Sequence, residues 1–244
     1  MNDIKAFLGR GALAGLAGGV AAALFQWLVT EDQIRAALRI EAAHQTGDHQ
    51  EMFSRGTQVT GGMLAAGIYG TLLGLVFGFV CAALWRWLTG SSVFARSIRI
   101  ASVVFVAWVL VPALKYPANP PSVGNPDTIG QRTASYLGLL TVSVALAFLA
   151  WELWRNLTAR GVDGAKRFAA VAGGYLAVIT LTYLILPPNP DRLDAPANLI
   201  WHFRIDSLAG NALLWLVIAT VFGWLGDRAA ARDPLPLDDE TVKV

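Results

Sequence analysis

The chain has 244 residues, of which 55% are apolar and 15% are charged, and its formal net charge is +2. A soluble domain carries about a quarter charged residues, so this composition is that of an integral membrane protein. With so small a net charge, no basic surface argues for nucleic-acid binding. The single cysteine, Cys81, excludes an internal disulfide and a multi-cysteine metal site.

Six apolar runs are each long enough to cross the hydrocarbon core, which takes roughly 20 residues of helix. They cover residues 11–29, 61–85, 98–114, 133–151, 168–186 and 207–224. The first run is longer than the apolar region of a signal peptide, so we predict that it is a retained span. The sequence therefore predicts an all-α, polytopic membrane protein. Its six-helix transmembrane domain should cover residues 1–228, with a polar cytoplasmic tail over residues 229–244.

The distribution of Lys and Arg predicts the orientation, because cytoplasmic segments carry the excess of positive charge. The N-terminus, the second and fourth connections and the C-terminus hold twelve of these residues, whereas the other three connections hold seven. Both termini should therefore be cytoplasmic, in a bacterial inner membrane, with the three longer connections outside. All three histidines, His44, His49 and His202, then lie on the outer side.

A short pattern recurs where each outer connection ends: an arginine, a polar residue three positions on, and a glycine three further on. The copies are Arg55, Gln58 and Gly61; Arg132, Ser135 and Gly138; and Arg204, Ser207 and Gly210. This recurrence suggests three parallel two-helix repeats about a pseudo-threefold axis. Residues spaced by three drift slowly around a helix, so three arginine-bearing helix ends could converge. Alternatively, the arginines anchor at lipid headgroups and the glycines serve helix packing.

The first outer connection concentrates residues that are able to bind a metal ion. Glu41 and His44 are one helical turn apart, and Gly47 predicts the end of their helix. Imidazole and carboxylate ligands suit divalent first-row metals. The candidate metal ligands are Glu41, His44, Asp48, His49 and His202. The alternative is a solvated amphipathic segment at the interface, with His202 in an interfacial aromatic belt.

The connection after the third span, PALKYPANPPSVGNPDTIGQR (residues 112–132), holds five prolines. Proline cannot continue a helix and biases its predecessor toward extended backbone. Pro112 should therefore loosen the end of the third span, and the other prolines should hold a fixed, non-helical path. We interpret this segment as one wall of an outer vestibule or, alternatively, as a rigid surface linker. The predicted vestibule residues are Lys115, Asn119, Asn125, Asp127, Arg132, Ser135, Arg55, Gln58, Arg204, Asp206, Ser207 and Asn211.

Three stretches carry a resemblance to a known family: FSRGTQVTGG, VPALKYPANPPSVGNPDTIGQRTASYLG and LPPNPD. Over nearly its whole length the chain resembles the CbtA family of probable cobalt transporter subunits. The resemblance implies an inner-membrane protein associated with cobalt uptake for cobalamin synthesis. It also implies a small single-span partner of the CbtB type, with histidines near one end. The first outer loop of the family is often richer in histidine than the AAHQTGDHQE of this chain.

Three hypotheses follow. In the first, the protein is an uptake subunit for Co²⁺ or a similar ion, in which His44, His49 and nearby carboxylates collect the ion. Arginines at the entrance would repel that cation unless carboxylates such as Asp127 and Asp206 pair with them. In the second, the protein is a non-transporting scaffold for a small partner, and in the third it binds an anion or a lipid headgroup. All three are non-enzymatic, since the motifs GxxxxGK[ST], GxSxG and HExxH are absent from the sequence.

Overall fold

A computed structural model describes residues 4–44, 53–87, 92–121, 123–189 and 195–232, and all regular structure in them is helical. The helices are α1 (Ile4–Phe25), α2 (Glu31–His44), α3 (Arg55–Leu84), α4 (Val93–Val104), α5 (Val111–Lys115), α6 (Ile129–Ala159), α7 (Gly164–Ile185) and α8 (Ala197–Arg232). Wider π-helical turns at Gln26–Thr30 and Phe105–Leu110 join α1 to α2 and α4 to α5. Short 3₁₀ turns lie at Trp85–Trp87 and Pro126–Thr128.

Six helical segments are long and apolar enough to cross a membrane. They are Ile4–Ala43, Arg55–Trp87, Val93–Lys115, Pro126–Ala159, Gly164–Ile185 and Ala197–Arg232. Helices suit this environment because they bond their backbone N–H and C=O groups within the segment. The prediction of an all-α protein with six transmembrane helices is therefore confirmed. The threefold repeat stays a prediction, and residues 233–244 of the predicted tail lie outside the described part of the chain.

The helix of the third span is irregular near its end, as the presence of Pro112 predicts. Before this proline the helix widens, and the Val111 N–H bonds to the Val106 carbonyl oxygen, five residues back. The helix ends at Lys115, and residues 117–120 follow an irregular path. Since proline lacks an N–H and clashes with the preceding turn, a kink or a π-helical turn is the usual accommodation.

The chain divides into two compact units. Unit A comprises Met1–Ala21, Gly61–Ala101 and Leu213–Val244, and unit B comprises Ala22–Thr60 and Ser102–Ala212. Unit A holds a glycine-lined contact between α1 and α3. Unit B holds every predicted metal-site and vestibule residue that the structure describes.

In unit A, α1 and α3 approach so closely that glycines of each helix contact the backbone of the other. The glycines are Gly11, Gly15 and Gly19 of α1 and Gly70, Gly74 and Gly78 of α3. A Cβ atom at Gly15 would overlap the Gly70 carbonyl oxygen and would lie 2.8 Å from the Gly74 Cα. Because lipid offers no hydrophobic driving force between helices, such close packing of small residues is a main source of association.

Asp227 of α8 fixes the beginning of α4 in the same unit. Its Oδ1 accepts the Val93 N–H at 2.6 Å, and its Oδ2 accepts the Phe94 N–H at 3.3 Å. N–H groups of a first helical turn have no partner within the helix, and a carboxylate also suits the positive end of the helix dipole. Gly223 and Gly226 allow this approach, because a Cβ at either position would lie closer than 3 Å to α4 atoms.

In unit B, α6 and α7 are joined by a tight turn. Gly161 follows α6 with a φ of +70°, a left-handed conformation that glycine adopts without strain. The Asp163 side chain then accepts N–H groups from the first turn of α7. Between the two helices, Ser143 Oγ and Tyr175 OH share a hydrogen bond of 2.7 Å. The turn and this bond fix the position of α7, whose last residues contact the proline-rich connection.

Candidate functional site

The predicted metal ligands lie only partly within the described residues. Glu41 is on α2, and His44 is the last residue of that helix. The His44 side chain, Asp48 and His49 lie outside the described part of the chain, and His202 is exposed on α8. Among the residues that the structure describes, no group of three or more His, Cys, Asp or Glu side chains is placed to hold a metal ion. The five-residue ligand set therefore stays a prediction.

Arg55, the first residue of α3, binds the buried carboxylate of Glu31, which the sequence did not identify as its partner. Its Nη2 lies 2.7 Å from Glu31 Oε2, and its Nε donates to Glu31 Oε1 at 3.0 Å. Arg35, one turn after Glu31, donates to the same Oε1 at 2.9 Å. Arg55 Nη1 also donates to Gln58 Oε1 at 2.9 Å. Glu31 therefore joins the start of α2 to the start of α3 and offsets the charge of Arg55.

Arg204, the third arginine of the repeated pattern, binds the proline-rich connection. Its Nη2 donates to Asn119 Oδ1 at 2.9 Å, and its Nε donates to the Ala118 carbonyl oxygen at 3.3 Å. The repeated pattern lies at different positions in the two helices. Arg55 is the first residue of α3, whereas Arg204 lies in the third turn of α8. Arg204 therefore fixes a loop residue, Asn119, that lies 85 residues earlier in the sequence.

The same loop is attached to the end of α7, and we call residues 115–121 the proline strap. Lys115 Nζ donates to the Tyr183 carbonyl oxygen at 2.8 Å, and Tyr116 OH donates to the Pro187 carbonyl oxygen at 2.6 Å. Tyr183 OH in turn donates to the Val111 carbonyl oxygen. A positive charge beside the last carbonyls of a helix is favourable. Lys115 therefore caps α7, a role that its place in the sequence did not reveal.

The remainder of the proline-rich connection is ordered by Asn125. Its side chain accepts the Asp127 N–H at 2.9 Å and caps the short 3₁₀ turn. Its carbonyl oxygen accepts Thr128 Oγ1 at 2.8 Å and Arg132 Nη2 at 3.3 Å. The predicted vestibule residues that hold the proline-rich connection by hydrogen bonds are therefore Lys115, Asn119, Asn125, Arg132 and Arg204.

Two of the three pattern arginines bind groups other than Asp127 and Asp206, and the pairing of these two carboxylates with an arginine stays a prediction. Arg55 pairs with Glu31, and Arg204 binds an amide and a carbonyl group. Asp206 Oδ2 is buried and has no hydrogen-bond partner among the described residues. The i, i+4 spacing of Glu31 and Arg35 was the one sequence signal for the observed network.

The polar residues that follow in α6 and α8 are not brought into one cluster by direct bonds. Asn211 Nδ2 donates to the Ser207 carbonyl oxygen of its own helix at 2.9 Å, and Ser135 is half-buried in α6. The glycines of the pattern also differ. A Cβ at Gly61 or Gly138 would meet nothing within 4 Å, whereas one at Gly210 would lie 3.3 Å from the Phe25 ring. A packing role for these glycines therefore holds only in α8.

Comparison with protein families gives a match over nearly the whole chain. The model of the CbtA family, described as a probable cobalt transporter subunit, matches residues 4–227. The chain belongs to the CbtA family. Comparison with curated proteins and with solved structures finds no significant match. The matched residues contain five spans whole, most of the sixth, the proline strap and the Glu31 network, so this CbtA-family chain is a multi-pass membrane protein.

The family description identifies the chain as a subunit, which implies that it acts together with a partner. The same description gives the family a role in transport. Lys115, one of the predicted vestibule residues, binds the end of α7 through its ammonium group.

Replacing Lys115 with methionine should lower the free energy of unfolding by about 1.5 kcal/mol, because a charged hydrogen bond to a helix end is lost. The measurement is a thermal melt of the purified protein followed by circular dichroism. The matched control is Lys166→Met, which removes an exposed lysine from the first turn of α7 and should leave the melt unchanged. Equal melting of the wild type and both variants would contradict the capping role.

Proposed function

We propose that this protein is the membrane-spanning subunit of an uptake system for Co²⁺ or a similar divalent ion. The observation that carries the proposal is the family match over residues 4–227, together with six segments able to span a membrane. We further propose a bacterial inner-membrane location, cytoplasmic termini and delivery of the metal to cobalamin synthesis. The partner that the word subunit implies is proposed to be a small single-span protein of the CbtB type.

In this proposal the ion is collected on the outer side by imidazole and carboxylate groups. The collecting residues are Glu41, His44, Asp48, His49 and His202, whose ligand types suit first-row divalent metals. The proline strap and Asn125 form a fixed rim beside the entrance, supported by their bonds to α7, α8 and Arg132. Glu31 supports cation passage, because it offsets an arginine charge that would otherwise repel the ion.

Replacing His44, His49 and His202 together with alanine should lower cobalt accumulation by about tenfold or more, since even the partners of metal ligands contribute 10–100-fold to affinity. The measurement is uptake of radioactive cobalt by a cobalt-limited host that expresses the chain with its partner. The matched control replaces the neighbouring Gln45, Gln50 and Trp201 with Ala, Ala and Phe. Accumulation by the triple histidine variant equal to that of the wild type would refute the collecting role.

Flux measurements on purified protein in liposomes separate this proposal from the two others. Uptake of Co²⁺ or Ni²⁺ supports the transport subunit, and uptake of an organic anion supports the anion-binding protein. Co-purification with a small membrane protein but no flux supports the scaffold. The observed arginine contacts favour the first outcome over the second, because Arg55 and Arg204 already bind groups of the protein itself.

A further inference from the structure

Asp206, in the third turn of α8, carries a carboxylate oxygen that is buried and has no hydrogen-bond partner among the described residues. Three other acidic side chains of the described chain have partners. Glu31 binds two arginines, Asp227 accepts two backbone N–H groups, and Glu152 pairs with Arg155. One oxygen of the Asp206 carboxylate therefore lacks a positive or proton-donating partner among these residues.

The nearest arginine in sequence does not meet this need. Arg204 lies two residues before Asp206, which is about 200° around the helix, and its guanidinium binds Asn119 and the Ala118 carbonyl oxygen. A carboxylate removed from water is costly unless it is paired or neutralised. Ionisable residues in membrane helices commonly mark the path of an ion. A cation from outside the protein would supply the partner that this oxygen lacks.

His202 lies one turn before Asp206 on the same face of α8 and is exposed. Side chains spaced by four residues in a helix are neighbours, with Cβ atoms about 6 Å apart, so an imidazole nitrogen and a carboxylate oxygen can reach one ion. One turn beyond Asp206, the same face is closed, because Gly210 packs against the Phe25 ring. The face therefore runs from an exposed imidazole to a half-buried carboxylate and then to a packed contact.

We propose that His202 and Asp206 form a two-ligand site for a divalent transition-metal ion, with water completing its coordination. One nitrogen and one oxygen ligand suit ions such as Co²⁺ and Ni²⁺ rather than Mg²⁺, which prefers oxygen. Two protein ligands hold an ion weakly enough for it to leave, which transport requires. The identification of Co²⁺ as the ion rests on the proposed function, whereas the ligand pair rests on the geometry of α8.

The test is calorimetric titration of CoCl₂ into the full-length protein in lipid nanodiscs, with MgCl₂ as the comparison ion. Asp206→Asn and His202→Gln should each weaken Co²⁺ binding by at least about tenfold, whereas Asp206→Glu should largely retain it. The matched control is Glu152→Gln, an exposed carboxylate on α6 that pairs with Arg155, and it should bind like the wild type. Thermal melts of the metal-free variants confirm that each one is folded.

The outcomes separate this site from the function on which it rests. Wild-type cobalt uptake with unchanged Co²⁺ binding by Asp206→Asn overturns the site and leaves the proposed function standing. Co²⁺ binding that depends on both residues, without any flux, supports the site and overturns the transport role. A wild-type protein that neither binds nor transports Co²⁺ overturns both. Equal binding of Mg²⁺ and Co²⁺ by the wild type also overturns the site, because an imidazole ligand should favour Co²⁺ over Mg²⁺.

Discussion

Adding a single methyl group at Gly15 is expected to force α1 away from α3 and to destabilise the protein by about 3 kcal/mol, a large value for overpacking. The cost is high because the new Cβ would overlap the Gly70 carbonyl oxygen and crowd the Gly74 Cα. Backbone atoms, unlike the end of a flexible side chain, cannot move aside without moving the helix. Gly74→Ala should have the same effect, since its Cβ would lie 2.6 Å from the Gly15 Cα.

The measurement uses Cys81, the only cysteine of the chain, which is fully buried in α3. A thiol-reactive dye should label it only after unfolding, so the labelling rate during a temperature ramp reports the stability of unit A. Gly9→Ala in α1 and Gly61→Ala in α3 are matched controls, because a Cβ at either position meets nothing within 4 Å. If Gly15→Ala is labelled at the same temperature as the two control variants, then α1 and α3 are not in close contact.

Removing the Glu31 carboxylate is the second change for which we expect a large effect. Glu31→Ala leaves Arg55 without its two-bond partner and Arg35 without its i, i+4 partner, and breaking a buried ion pair in this way costs about 3 kcal/mol. The Arg55 side chain is 32% exposed, so water should recover part of that cost. The measurement is unfolding of the purified protein by denaturing detergent, followed by tryptophan fluorescence.

Glu152→Ala provides the control for this experiment. It also breaks a glutamate–arginine pair, but both side chains are largely exposed, at 53% and 41%, so it should cost less than about 0.5 kcal/mol. The double variant Glu31→Ala, Arg55→Met should regain stability relative to Glu31→Ala, because it leaves no unpaired guanidinium at the start of α3. If Glu31→Ala and Glu152→Ala unfold alike, the Glu31 network is not a structural link.

The number of spans was predictable because it depends on long apolar runs, but the helix ends were not. The first run ends near residue 29, yet helix continues to His44 through a π-helical turn. Hydropathy reports where lipid contact stops, whereas a helix ends where its backbone hydrogen bonds stop. The amphipathic residues of α2 can continue those bonds in water, so apolar length underestimates the helix.

The sequence alone could not predict which glycines pack against a neighbouring helix. Ala17, Gly18 and Gly19 have the same residue types as Ala172, Gly173 and Gly174, yet only the first set is packed. Gly18 and Gly19 contact α8 and α3, whereas a Cβ at Gly173 or Gly174 would meet nothing within 4 Å. Identical sequences can face a helix or lipid, and only the arrangement of the neighbouring helices decides between them.

The candidate site was predictable in part. Its residue types and its proline-rich connection follow from local sequence, because proline acts on its own backbone and on the residue before it. Its partners do not, since Lys115 and Tyr183 are 68 residues apart and no local pattern relates them. For the same reason Glu31 was missed as the partner of Arg55, although its pairing with Arg35 is local.

The proline strap also has a consequence for the biosynthesis of the chain. Asn119 finds its partner only when Arg204 has been made, 85 residues later. At the usual 5–20 residues per second, that interval is about 4–17 s. Throughout it, the strap has been synthesised but has no anchor on α8. The strap is therefore completed after the sixth span enters the membrane, which makes this bond a late step of insertion.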